Sequence, residues 1–150
     1  MPYNCSEANL RRAEDVCVIM NEGSGKRRGS DGARDIRQLL EARPTRFELK
    51  LLRPGEDLCE AAGNAIDSGF GTVVAAGGDG TICAVASALA GTGCRMGVLP
   101  MGTFNYFARS IGLPETLDEC LSVIDEGHVR AVSVGDVNGH VFLNNASLGA

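Results

Sequence analysis

Apolar and polar positions along this chain switch between two periods. Residues 16–21 (VCVIMN) form a short apolar run that ends at the glycine-containing stretch GSGKRRGSDG, the profile of a buried strand entering a loop. Ala33, Ile36, Leu39 and Leu40 then recur at helical offsets, and Pro44 limits how far that helix can run. Residues 47–53 (FELKLLR) read as a second strand. Leu58, Ala61, Ala62, Ala65 and Ile66 mark a helix that should stop near Gly69, and residues 72–76 (TVVAA) make a third strand. Ile82, Val85, Ala86, Leu89 and Ala90 repeat the helical stripe, with Gly91 and Gly93 as stop signals before a fourth strand over 96–100 (MGVLP). Phe104, Phe107, Ala108 and Ile111 predict a further helix. Leu117, Cys120, Leu121 and Ile124 predict the last one, ending at Gly127.

Strands that alternate with helices imply an α/β fold: a Rossmann-like parallel sheet covered by helices on both faces. The pattern breaks after residue 128. VRAVSVGDV (129–137) and HVFLNNASLG (140–149) flank Asn138-Gly139, a strong hairpin signal. The expected organisation is a polar segment over 1–15, an α/β domain over 16–128, and a hairpin over 129–150 that begins a second, β-rich domain. The sequence stops at Ala150, where that second domain is expected to continue. Val132, Val134, Val141, Phe142 and Leu143 on an unpartnered hairpin would expose apolar strand surface, which predicts self-association, for instance as a homodimer.

Composition narrows the function. A chain of 150 residues can bury most of its core without disulfide or metal staples. Glycine is abundant, at 20 residues, nearly double the average usage of ~7%, with neither a repeat nor excess proline. Those glycines are therefore positional. The net charge of −5 argues against nucleic acid as a partner, because such binding depends on neutralising phosphates. No apolar stretch is long enough to span a bilayer, and residues 1–15 lack the core of a secretory signal, so a cytoplasmic location is expected. The six cysteines show no C-x-x-C spacing and read as reduced thiols. His128 and His140 have no cluster of ligands at metal spacing.

The informative stretch is Gly77-Gly78-Asp79-Gly80-Thr81, between a predicted strand and a predicted helix, at the edge where open parallel sheets bind ligands. Glycines allow close backbone approach, so amide groups can converge on phosphate oxygens while the helix N-terminus adds partial positive charge. Thr81 can cap that helix or bond a phosphate, and the bland alternative is a turn in which Asp79 is a plain cap. Beside polyphosphate the carboxylate of Asp79 is costly unless a divalent cation or a donor hydroxyl intervenes, which points to metal-assisted phosphoryl transfer. Neither G-x-x-x-x-G-K-[ST] nor G-x-G-x-x-G occurs.

GGDGT, followed by Leu99-Pro100-Met101-Gly102-Thr103-Phe104-Asn105 and Phe107-Ala108-Arg109, resembles the catalytic domain of the diacylglycerol kinase and bacterial lipid kinase family. That family is related to sphingosine kinases and more distantly to NAD kinases and phosphofructokinases. Asn21-x-x-Ser24-Gly25 is similar to the family's N-P-x-S-G turn, and the Phe142–Gly149 tail to its entry into a second domain. The resemblance implies an ATP- and Mg²⁺-dependent kinase acting on a lipid hydroxyl, peripheral at a membrane. It implies that Gly77, Gly78, Asp79, Gly80, Thr81 and Thr103 contact ATP and that Asn21 and Ser24 line the same cleft, with Asp79 as the catalytic candidate. Thr103 could also cap the helix that begins at Phe104. Lys26, Arg27 and Arg28 could attract phosphate or anionic headgroups, or be simply solvated.

The chain departs from the family at Glu22, where Pro is usual, at Cys83-Ala84, where Asn-Glu is usual, and at Tyr106, where Asp is usual. These departures leave open a degenerate nucleotide-binding module without catalysis. An NAD-kinase-type enzyme acting on a soluble metabolite is the other alternative. In the family the general base and a metal site lie in the second domain, past Ala150.

Overall fold

The structure, a computed structural model, describes residues 15–22, 32–137 and 140–142. Four strands, β1 (Val16–Asn21), β2 (Phe47–Leu52), β3 (Thr72–Gly77) and β4 (Arg95–Pro100), form a parallel sheet in the order β2-β1-β3-β4. Between and after them come α1 (Gly32–Glu41), α2 (Leu58–Asp67), α3 (Asp79–Leu89), α4 (Tyr106–Ser110) and α5 (Leu117–Glu126). The Rossmann-like α/β arrangement read from the sequence is the observed one.

The two-residue period of the central strands sorts their side chains between two apolar layers. Cys17 and Ile19 of β1 and Val73 and Ala75 of β3 pack with Ala62 and Ala65 of α2, Ile82, Val85 and Leu89 of α3, and Phe107 of α4. On the opposite face Val16, Val18 and Met20 of β1 and Val74 and Ala76 of β3 meet Ile36 and Leu40 of α1 and Cys120 and Leu121 of α5. Fully buried side chains such as Ile19 and Ile36 each contribute roughly 1.5–3 kcal/mol to the folded state.

Helix ends follow local chemistry. The Asp57 carboxylate accepts from the Cys59 and Glu60 amides at 2.7 and 3.1 Å and starts α2, and the Thr116 hydroxyl accepts from the Glu119 amide at 3.2 Å and starts α5. Gly127, at φ 72°, closes α5 as expected. Two predicted elements differ. The helix expected from Phe104 begins only at Tyr106, because Asn105 is left-handed (φ 52°, ψ 49°) and cannot continue a helix backward. The predicted hairpin is shorter than read: β5 (Gly135–Val137) and β6 (His140–Phe142) pair antiparallel, whereas residues 128–134 join no ladder. Val129, Val132 and Val134 are exposed there, so the β-favouring valines had no neighbouring strand to secure them. Asn138-Gly139 and residues 143–150 lie outside the described residues.

The chain runs outward from β1 to β2, then crosses back over β1 to β3 and β4. The carboxyl ends of β1 and β3 thus flank the point where strand order reverses, the position at which open α/β sheets form a ligand crevice.

Candidate functional site

Gly77 ends β3, and Gly78 is the N-cap of α3, extended at φ −83°, ψ −175°. Gly78 offers no capping side chain, so α3 presents the positive end of its dipole at the carboxyl edge of the sheet without one. Gly77 is glycine for packing reasons. A Cβ there would stand 2.8 Å from the Thr81 Oγ1, and Thr81, only 8% exposed, is turned back beneath the strand end. Thr81 does not serve as the helix cap; that place belongs to Gly78.

The loop after β4 lies directly on this turn. The Met101 amide donates to the Gly77 carbonyl at 2.8 Å, and a Cβ on Gly102 would stand 2.6 Å from the Gly78 Cα. Asn105 shapes the loop from within: its Oδ1 accepts from the Gly102 amide at 2.9 Å and its Nδ2 donates to the Gly102 carbonyl at 3.0 Å. Asp79, in the first turn of α3, reaches across to α4, accepting from the Tyr106 amide at 3.1 Å through Oδ2 and from the Phe107 amide at 3.2 Å through Oδ1. Thr103 is exposed on the loop and does not cap α4, whose N-cap position is taken by Asn105. Phe104 and Tyr106 stack with ring centroids 5.3 Å apart and planes 8° from parallel, both more than half exposed.

A cavity of about 470 Å³ opens beside this edge, between the ends of β1 and β2, the 53–57 loop, the start of α2 and the second turn of α3. Asn21 lines it, together with Glu22, Arg53, Asp57, Leu58 and Ala84, whereas Gly77–Thr81 and Thr103, with which Asn21 was expected to share one cleft, are not among its lining residues. Glu22 and Ala84, two of the four positions that depart from the family pattern, thus face the same space. Arg53, Asp57 and Leu58 were not expected at the cleft from the sequence; they follow β2, where only the strand order reveals proximity to β1. At the cavity wall the Cys59 thiol donates to the Ala84 carbonyl at 3.1 Å, tying α2 to α3. Burial first, then Asp57 and Cys83, push that thiol upward. Ser24, Lys26, Arg27 and Arg28 lie outside the described residues. Among the described residues no group of three or more His, Cys, Asp or Glu is placed to hold a metal, and no helix is long and apolar enough to cross a membrane.

The sequence-predicted residues therefore fall into two sets. Gly77, Gly78, Asp79, Gly80, Thr81 and Thr103 gather where the two loops touch, while Asn21 stands at the end of β1 on the adjoining cavity. The family model of the diacylglycerol kinase catalytic domain matches residues 15–137. The chain belongs to that family. It is 33% identical over 137 residues to a diacylglycerol kinase of Staphylococcus saprophyticus, covering 88% of this chain and 44% of that protein. It is 45% identical over 87 residues to a "Probable lipid kinase YegS-like" of Pseudomonas aeruginosa, covering 57% of this chain and 28% of that one. Among solved structures, a diacylglycerol kinase from Bacillus anthracis superposes with a TM-score of 0.69 at 29% identity, over 87% of this chain and 46% of the other. The chain spans less than half the length of these relatives.

Proposed function

We propose that this chain is the ATP-binding half of a lipid kinase that transfers the γ-phosphate of ATP to a lipid hydroxyl of the diacylglycerol or sphingoid type. The observation that carries the reading is the main-chain contact between Gly78 and Gly102. It brings two glycine-bearing loops together at the N-terminus of α3, beside the strand-order reversal, leaving backbone donors and a helix dipole where an anion is stabilised. Phosphoryl transfer asks a protein chiefly for positioning and charge stabilisation, and a rigid main-chain cradle supplies the first.

In this reading the phosphates lie against Gly77–Thr81 and Thr103, and the base and ribose extend toward Asn21 and the adjoining cavity. Bound Mg²⁺ would supply charge shielding for the phosphates; no cluster of His, Cys, Asp or Glu among the described residues is placed to ligate it, so it would be held mainly by waters and substrate phosphates. Residues 129–150 open a second domain that carries the acceptor site and the general base. The lipid is met at a membrane surface, with the enzyme itself on the cytoplasmic side.

The test is direct. Full-length protein is assayed with labelled ATP against diacylglycerol, a sphingoid base and NAD, with calorimetry of ATP and ADP in Mg²⁺. Lipid phosphorylation supports the proposal. Phosphorylation of NAD alone replaces it with a metabolite kinase, and nucleotide affinity without turnover on any acceptor replaces it with a degenerate binding module.

A further inference from the structure

We infer that Asp79 is a positioning residue, whose carboxylate belongs to the glycine turn but holds the loop after β4 and the start of α4 in place instead of meeting phosphate or metal itself. Both of its oxygens are turned toward peptide N–H groups 27 and 28 residues away, those of Tyr106 and Phe107. The helix they belong to needs such a partner. Its own N-cap residue, Asn105, makes no capping bond, because its side chain is occupied with Gly102 on both its oxygen and its nitrogen. The first N–H groups of any helix lack intrahelical acceptors, and here a carboxylate from another loop supplies one to each of two, with its negative charge at the positive end of the helix.

Three consecutive residues of the turn are thereby committed to the second loop. Gly77 accepts from Met101, Gly78 abuts Gly102, and Asp79 accepts from α4. The geometry also resolves the difficulty of placing a carboxylate in a phosphate cradle: its charge is spent on peptide donors. The affinity arms of the following test rest on the nucleotide reading above, whereas the exchange arm stands without it.

Asp79→Asn, nearly isosteric, and Asp79→Ala are compared with the full-length wild type by hydrogen–deuterium exchange and by ADP titration with Mg²⁺ or with EDTA. Faster exchange is expected in peptides spanning 102–110, with β1 and α5 unchanged as the control for folding. ADP affinity is expected to fall about tenfold, the scale of one charge-assisted hydrogen bond, and by the same factor with and without metal. A direct metal or phosphate role would give the opposite sign: loss confined to Mg²⁺, with metal-free ADP bound equally or more tightly once the carboxylate is gone. That result, or unchanged exchange over 102–110, overturns the inference. If the wild type binds no nucleotide, the nucleotide reading fails and the exchange result alone decides the role of Asp79. Should Asp79→Ala not fold, Asp79→Asn carries the test.

Discussion

Gly78 and Gly102 lie back to back, so close that a Cβ on the second would stand 2.6 Å from the Cα of the first. No side chain separates the turn after β3 from the loop after β4, and nothing flexible can yield there.

The relationship is asymmetric, and so is the expected response to substitution. Gly102→Ala drives a methyl into backbone and should cost about 1–3 kcal/mol, as overpacking does. Gly78→Ala places its Cβ 3.4 Å from the Gly102 Cα and should cost less than about 1 kcal/mol. Urea denaturation ranks the two, and equal losses would contradict the geometry. Gly78→Val, larger and at the proposed phosphate cradle, should abolish nucleotide affinity in calorimetry while the protein stays folded.

Asn105 combines a left-handed backbone with two hydrogen bonds to Gly102. Asn105→Ala loses both bonds and puts an ordinary residue where left-handed geometry costs roughly 1–2 kcal/mol. Asn105→Gly loses the bonds but is at ease in that conformation. Thermal or chemical denaturation should therefore find the Ala variant the less stable by about 1 kcal/mol. An inverted order would show that the left-handed strain at this position is smaller than the conformational freedom that glycine adds to the unfolded chain.

Arg43, in the turn after α1, donates to the Ser122 Oγ at 2.9 Å and to Asp125 at 3.0 Å, and pairs with Asp118. Its side chain and that of Asp125 are 13% and 14% exposed, so the pair is more than a surface contact. Arg43→Ala should destabilise by about 2 kcal/mol, because it leaves the Asp125 carboxylate without its cation. Adding Asp125→Asn should return part of that loss in a double-mutant cycle. Strict additivity would mean that the two groups do not interact.

Burial pushes the Cys17 thiol up to about 11 from an ordinary 9.0. The folded state holds this proton more tightly than the unfolded chain does, so the associated stability is fully present below pH 9 and is lost as pH rises toward 11. Comparing urea midpoints of the wild type and Cys17→Ala across that window should show a steeper decline for the wild type. Parallel curves would place the titration elsewhere.

The sheet and four of its helices were legible because each presents an apolar stripe that a single residue spacing exposes: Ile36 and Leu40, Ala62 and Ala65, Ile82 with Val85 and Leu89, Cys120 and Leu121. GGDGT and the Gly102–Asn105 stretch were legible as motifs, and the structure brings the two into contact. What escaped the sequence depends on tertiary partners. Nothing local announces that Asn105 turns left-handed and delays α4, or that Asp79 finds its acceptor role 27 residues downstream. Gly97 is a further instance: a Cβ there would meet the Val74 Cγ2 at 2.7 Å and the Ile124 Cδ1 at 3.2 Å, a constraint visible only once α5 has docked on β4.

α4 has five residues, well short of the ~12–15 at which an isolated helix becomes even marginally stable in water. Its nucleation must therefore be borrowed. The carboxylate that receives its first amides arrives with α3, and Phe107 anchors it in the layer built by α2 and α3. Order in residues 101–110 therefore depends on the β3–α3 unit against which they pack, and this segment reports on whether that βα unit is intact.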